Sequence, residues 1–254
     1  MSKSEIIYKS ENIDKAVELY KKGYTYKKIG KYLKRSPSTM LLWIHQKNVK
    51  IRDKYIKVNL SPSKELCYIV GVLKGDGSIN SNKNGIILRV KDEEFAKEFH
   101  RCCKTVGMSS KLVFENSQKG WRVLSYSKIL INRYKEISEN DILNLPDELK
   151  IAFLRGFFDS EGCYYTNSKN GIKSCKITNT NITYVNLIRE LLFSLGFCST
   201  IQTRHYSNHY RTCYNIELNG GKKKIKDFLL TIQPSIPRKQ WIEPINLNEV
   251  KLLE

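Results

Sequence analysis

The chain has 254 residues, 41% of them hydrophobic and 11% aromatic, enough for the core of one larger domain, alone or with a small appendage, and too apolar for a disordered chain. Its 44 Lys and Arg against 25 Asp and Glu leave a net charge of +19, which points to a polyanionic partner, nucleic acid before all others. No apolar run approaches the ~20 residues of a membrane span, and the opening MSKSEIIYKSENIDK lacks a signal peptide's apolar core, so an intracellular, cytoplasmic protein with no membrane partner is expected.

In chain order, residues 12–46 read as three short helices. Val17 and Tyr20 make one apolar face, Gly23 ends that helix, and Ile29 and Leu33 make the next. Ser36 is an expected N-cap with Pro37 at the first helical position, opening a third helix whose Met40 and Ile44 turn inward. This is a helix-turn-helix pattern, and its third helix would present Ser38, Thr39, Leu42 and Gln46 to a major groove within a basic surround. The expected boundaries are a DNA-binding module over 1–50 and a weakly patterned basic linker over 51–63.

From Lys64 the chain repeats itself in outline, with halves over 64–147 and 148–254. Each half reads as helix, two strands, helix, two strands, helix, and TVGMSSKL in the first lines up with SLGFCSTI in the second. Strand parity puts Leu88 and Val90 on one face with Arg89 and Lys91 on the other, and Cys175 and Ile177 opposite Lys176 and Thr178. One face of each sheet is therefore expected under helices and the other polar and basic. Arg89, Lys91, Lys176, Arg204 and Arg211 are the expected DNA contacts there. The seven cysteines include no C-x-x-C pair and read as reduced, buried, small apolar residues. A zinc reading of Cys198, His205, His209 and Cys213 fits no common ligand spacing.

Two stretches carry the chemistry. YIVGVLKGDGSI (68–79) and AFLRGFFDSEGCYY (152–165) are apolar helices that end on a carboxylate followed by glycine. An acid in the last helical turn faces the partial negative charge of exposed carbonyls, so Asp76 and Glu161 need another reason to be there. Gly71 and Gly75 share one helix face, and Gly156 and Ser160 share the other. Small residues so spaced let two helices pack backbone to backbone, which brings the two acids together. Two carboxylates so placed repel each other, and a divalent cation, Mg²⁺ above all, resolves the conflict with the hard oxygen ligands it prefers. No Ser/His/Asp or Cys/His nucleophile arrangement is recognisable.

With both stretches in hand, the chain resembles a single-chain LAGLIDADG homing endonuclease, the motif pair being IVGVLKGDG (69–77) and LRGFFDSEG (154–162). The resemblance covers residues 64–240. It implies an α+β fold of two αββαββα repeats about a pseudo-two-fold axis, a saddle along the major groove of double-stranded DNA, metal-binding acids at Asp76 and Glu161, and action as a monomer. Lys74 departs from the pattern at a place that is structural in the family, where the second motif keeps Asp159. The family also places a lysine near the scissile phosphates. Lys239 in SIPRKQW is its match by distance past the second motif, against a plain solvated tail residue. The first half offers no clear equivalent. The termini lack the residues protein splicing needs, so a free-standing enzyme is expected. Two rivals remain: a non-cleaving transcription regulator resembling WhiA, and an intron RNA maturase.

Overall fold

A computed structural model describes residues 3–22, 24–47, 58–166, 173–205 and 212–241. The chain forms two compact units, Met1–Tyr55 and Ile56–Glu254. Among the described residues no helix is long and apolar enough to cross a membrane.

The first unit holds α1 (Lys3–Lys21), α2 (Tyr26–Tyr32) and α3 (Pro37–Gln46). The first helix begins nine residues before the expected start at 12, and Gly23, its expected terminator, lies outside the described residues. Ser36 caps α3 by accepting a hydrogen bond from the Thr39 N–H at 3.1 Å, with Pro37 at the first turn, where a missing N–H costs nothing. Ile13, Ala16, Tyr20, Ile29, Met40, Trp43 and Ile44 form the core of this unit, and Tyr20 stacks on Tyr26 at 5.1 Å. Met40 and Ile44 point inward as the spacing requires, one helical turn apart.

The second unit begins with residues that the boundary at 63 assigned to the linker. Val58 and Leu60 pack on the core of the first repeat, and the Asn59 N–H donates to the Val106 carbonyl at 2.9 Å. The first repeat runs α4 (Lys64–Lys74), β1 (Ser78–Ile79), β2 (Gly85–Val90), α5 (Glu93–Thr105), β3 (Ser109–Glu115), β4 (Gly120–Tyr126) and α6 (Lys128–Glu136). A short helix α7 (Glu139–Leu143), opened by a capping box of Ser138 and Asp141, leads to the second repeat. That repeat runs α8 (Asp147–Glu161), β5 (Gly162–Thr166), β6 (Lys173–Asn179), α9 (Ile182–Ser194), β7 (Ser199–Arg204), β8 (Cys213–Leu218) and α10 (Gly221–Ile232). The sequence held no apolar period for a helix as short as α7.

Each repeat makes one antiparallel sheet, in the orders β1-β2-β4-β3 and β5-β6-β8-β7. Leu88 pairs with Val123 and Ile177 with Ile216, placing the four buried apolar side chains on the helix-covered faces. Not every cysteine follows the buried expectation. Cys67, Cys102, Cys103 and Cys175 are buried, but Cys163 and Cys198 are exposed and Cys213 is half-buried. Cys163 pairs across the ladder with Lys176, so strand parity turns it away from the helices.

Helix α4 is buried at every position from Leu66 to Lys74, as an all-round apolar helix must be. It feeds both cores: Leu66, Ile69, Val72 and Leu73 join the first repeat, while Cys67 and Val70 join Phe153, Phe157 and Phe158 in the second. After α10 the chain crosses back. Ile236 enters the first repeat's core, and Arg238 pairs with Asp92 of that repeat at 2.9 Å. Residues 235–241 thus tie the two halves together.

Candidate active site

Helices α4 and α8 run parallel with backbones in contact. A Cβ added at Gly71 would overlap the Phe153 carbonyl oxygen and lie 2.9 Å from the Phe157 nitrogen. At Gly156 it would overlap the Tyr68 carbonyl oxygen and lie 3.1 Å from the Val72 nitrogen. Gly75 abuts Ser160, whose hydroxyl donates to the Gly156 carbonyl at 3.2 Å, and a Cβ there would stand 3.3 Å from the Glu161 Cγ. Gly71 and Gly156 therefore each admit the backbone of the opposite helix, Gly75 meets Ser160, and the ends that carry Asp76 and Glu161 lie together.

Asp76 is open to solvent on one side with the helix pair behind it. Burial raises its pKa and the charge of Lys239 opposes the rise. Glu161 is half-buried, and burial first, then the charge of Asp76, pushes its pKa up to about 7. Asn179 and Lys239 oppose that shift, the amide of Asn179 donating to Glu161 Oε1 at 3.0 Å. Sequence reading passed over Asn179. Its signal was available: a polar residue on the apolar parity of β6, two places after Ile177.

Lys239 is no solvated tail residue, being only 3% exposed. Its ammonium donates to the carbonyls of Phe158 at 2.9 Å and Asp159 at 2.6 Å, in the last turn of α8, where a cation complements the helix dipole. Burial lowers its pKa. Asp159 beside it is buried, accepting from the Tyr68 hydroxyl at 2.8 Å and from the Ser235 N–H at 2.9 Å. Its counterpart Lys74 is buried as well, with its ammonium 3.8 Å from Glu139 and 4.7 Å above the Tyr184 ring. The sixth motif position thus anchors each helix, with opposite charges and different partners.

Among the described residues no group of three or more His, Cys, Asp or Glu is placed to hold a metal ion, and His209 of the zinc reading lies outside them. What the helix ends offer is a pair of hard carboxylates, one of them hard to ionise beside the other. That donor set fits a divalent cation whose remaining ligands are backbone carbonyl, water or substrate oxygens.

Glu161 binds its proton more tightly folded than unfolded, so its penalty is absent below about pH 4.5, grows as pH rises, and is complete above about pH 7. One pKa unit is ~1.4 kcal/mol, and with solvent access discounted the loss is on the order of 2 kcal/mol. In EDTA, Glu161→Gln should therefore melt higher than wild type at pH 8 and match it near pH 4. Equal melting curves at both pH values would remove this account.

On the sheet faces turned from the helices, Arg89 and Arg204 are exposed and Lys176 is half-buried; Lys91 is exposed one residue past the end of β2, and Arg211 lies outside the described residues. Arg89 stands 3.8 Å from Glu115, and Lys176 stands 3.5 Å from Glu217. In the first unit, Ser38 and Gln46 are exposed on α3, as is Leu42 at 68%, whereas the Thr39 hydroxyl is held by Ser36 at 2.8 Å.

A family model described as a LAGLIDADG-like domain matches residues 63–139 and again 148–233. An uncharacterized protein of Methanocaldococcus jannaschii is 33% identical over 169 residues, which span 62% of this chain and 64% of that protein. Among solved structures, I-DmoI in complex with DNA and Mn superposes with a TM-score of 0.50 at 19% identity, over 66% of this chain and 96% of that one. Full-length DUF199/WhiA from Thermatoga maritima gives 0.51 at 16% identity, over 79% and 70%. At these identities the structural likeness shows the fold alone.

Proposed function

The chain belongs to the LAGLIDADG-like family, and from that premise we propose that it is a site-specific endonuclease that cuts both strands of a long, asymmetric double-stranded DNA target. One observation carries the reading: two helices of a twice-repeated fold, packed backbone to backbone, bring an acid from each repeat to a common end. I-DmoI, a homing endonuclease of similar fold, is described in structures with DNA and Mn, Ca or Mg.

Asp76 and Glu161 would hold Mg²⁺, which when bound supplies an activated water for in-line attack and charge stabilisation at the departing 3′ oxygen. Asn179 fixes the Glu161 carboxylate, and Lys239 holds the end of α8 while keeping a positive charge beside both acids. The basic sheet faces bind the duplex over them. The module over α1–α3 extends the footprint, with Ser38 and Gln46 at the groove. Because one chain carries both acids, a monomer suffices.

The regulator reading draws on the WhiA likeness and the N-terminal helices; acids at both helix ends count against it. The test is incubation of the chain with Mg²⁺ and DNA spanning the gene's insertion junction, followed by sequencing of the ends produced. Ends at one locus support the nuclease. Tight binding without ends transfers the chain to the regulator reading, and tighter binding of intron RNA than of duplex transfers it to the maturase reading.

A further inference from the structure

The two sheets differ at equivalent places. Ser78 and Cys163 each follow the glycine of their motif, and they pair with Ile87 and Lys176. Arg89 in the first repeat therefore corresponds to Thr178 in the second. Across the ladder Arg89 faces Arg122, while Thr178 faces Asn215. Thr178 donates to Asn215 Oδ1 at 2.7 Å, and Asn215 is buried. That pair is closed on itself.

The arginine pair is open. Like charges directly opposite on a sheet repel, and Glu115 on the neighbouring strand answers both, 2.9 Å from Arg122 Nε and 3.8 Å from Arg89 Nε. The guanidinium side chains keep 34% and 48% of their exposure, against 21% for Glu115. Both arginines meet Glu115 at Nε, and the separate edge formed by the two terminal nitrogens can donate two parallel hydrogen bonds. Both arginines stand on the sheet's central strands, β2 and β4, which on a duplex laid along this face would lie over the bases and not at the edges where phosphates run. A carboxylate on a surface meant for DNA costs non-specific affinity, so Glu115 needs a purpose beyond charge balance.

We propose that Arg89 and Arg122, oriented by Glu115, form a guanine-reading fork in the first repeat, and that the target carries G·C at that place in one half-site with no counterpart in the other. The inference rests on the duplex target of the proposed nuclease. Guanine is the base whose major-groove edge offers two acceptors, O6 and N7, to one arginine. Glu115 is a positioning residue.

The experiment selects bound duplexes from a random-sequence pool in EDTA, using the full chain and its Arg122→Lys, Arg89→Lys, Glu115→Gln and Thr178→Ala variants. Lysine keeps the charge and loses the fork. Each lysine variant should lose about tenfold in guanine preference at one position, with the slope of log affinity against log salt unchanged. Glu115→Gln should bind at least as tightly as wild type, with guanine preference weakened, and Thr178→Ala should keep the wild-type consensus. A lysine variant that retains the full consensus, or a Glu115→Gln variant that melts lower with specificity intact, overturns the fork. A chain that enriches guanine-bearing duplexes yet cuts nothing in Mg²⁺ removes the nuclease and leaves the fork standing. A chain that enriches no duplex overturns both.

Discussion

Asp76→Asn and Glu161→Gln should each lower double-strand cleavage by about a thousandfold or more, while duplex affinity measured in EDTA holds or rises. The amides keep the size of the acids and remove the charge that would hold a divalent cation and stabilise the reacting phosphate. Affinity is expected to hold because neither side chain belongs to the sheet faces that carry Arg89, Lys176 and Arg204. Loss of a negative charge beneath a polyanion acts, if at all, to strengthen binding. The measurement is the rate at which a plasmid carrying the target is cut in Mg²⁺, beside a binding titration in EDTA. A structural role for the acids predicts the opposite, with cleavage falling only as far as the folded fraction falls. If wild type binds tightly and never cuts, and both variants behave as it does, the regulator reading takes over.

The second large effect belongs to the helix pair. Gly71→Ala and Gly156→Ala each place a methyl group onto a backbone carbonyl oxygen of the opposite helix, Phe153 and Tyr68 respectively. Backbone cannot step aside as a side chain can, so α4 and α8 must separate along their length. Overpacking of this kind costs about 3 kcal/mol or more, and for a unit of this size that is roughly 6–12 °C in melting temperature. Separation also moves Asp76 from Glu161, so cleavage should fall further than stability alone explains. Ser160→Ala is the control: it removes one hydrogen bond, to the Gly156 carbonyl, and should cost about 1 kcal/mol. Melting curves of the three variants decide the matter. If Gly71→Ala and Gly156→Ala melt with wild type, the helices are not in backbone contact.

Much of this architecture was written in local pattern. The duplication, the order of helices and strands, the apolar parity of β2 and β6, and the small residues on α4 and α8 all follow from side-chain periods of 2 and 3.6. Those periods act over a few residues and need no partner to be visible. The two acids could be named for the same reason, because a carboxylate at the end of a helix conflicts with its own backbone wherever the helix lies. Only the tertiary structure decided what surrounds them. Lys239 could be read as a tail residue or as a site residue until the chain's return past α10 buried it against carbonyls 80 and 81 residues earlier. Asn179 meets Glu161 because β6 pairs with β5, and Lys74 is tolerated because Tyr184, from the other repeat, covers its charge. Glu115 reaches both arginines because β4 lies between β2 and β3, an order that strand parity does not contain. A sequence states what each residue prefers as a neighbour, and the close packing of two repeats decides which neighbour it has.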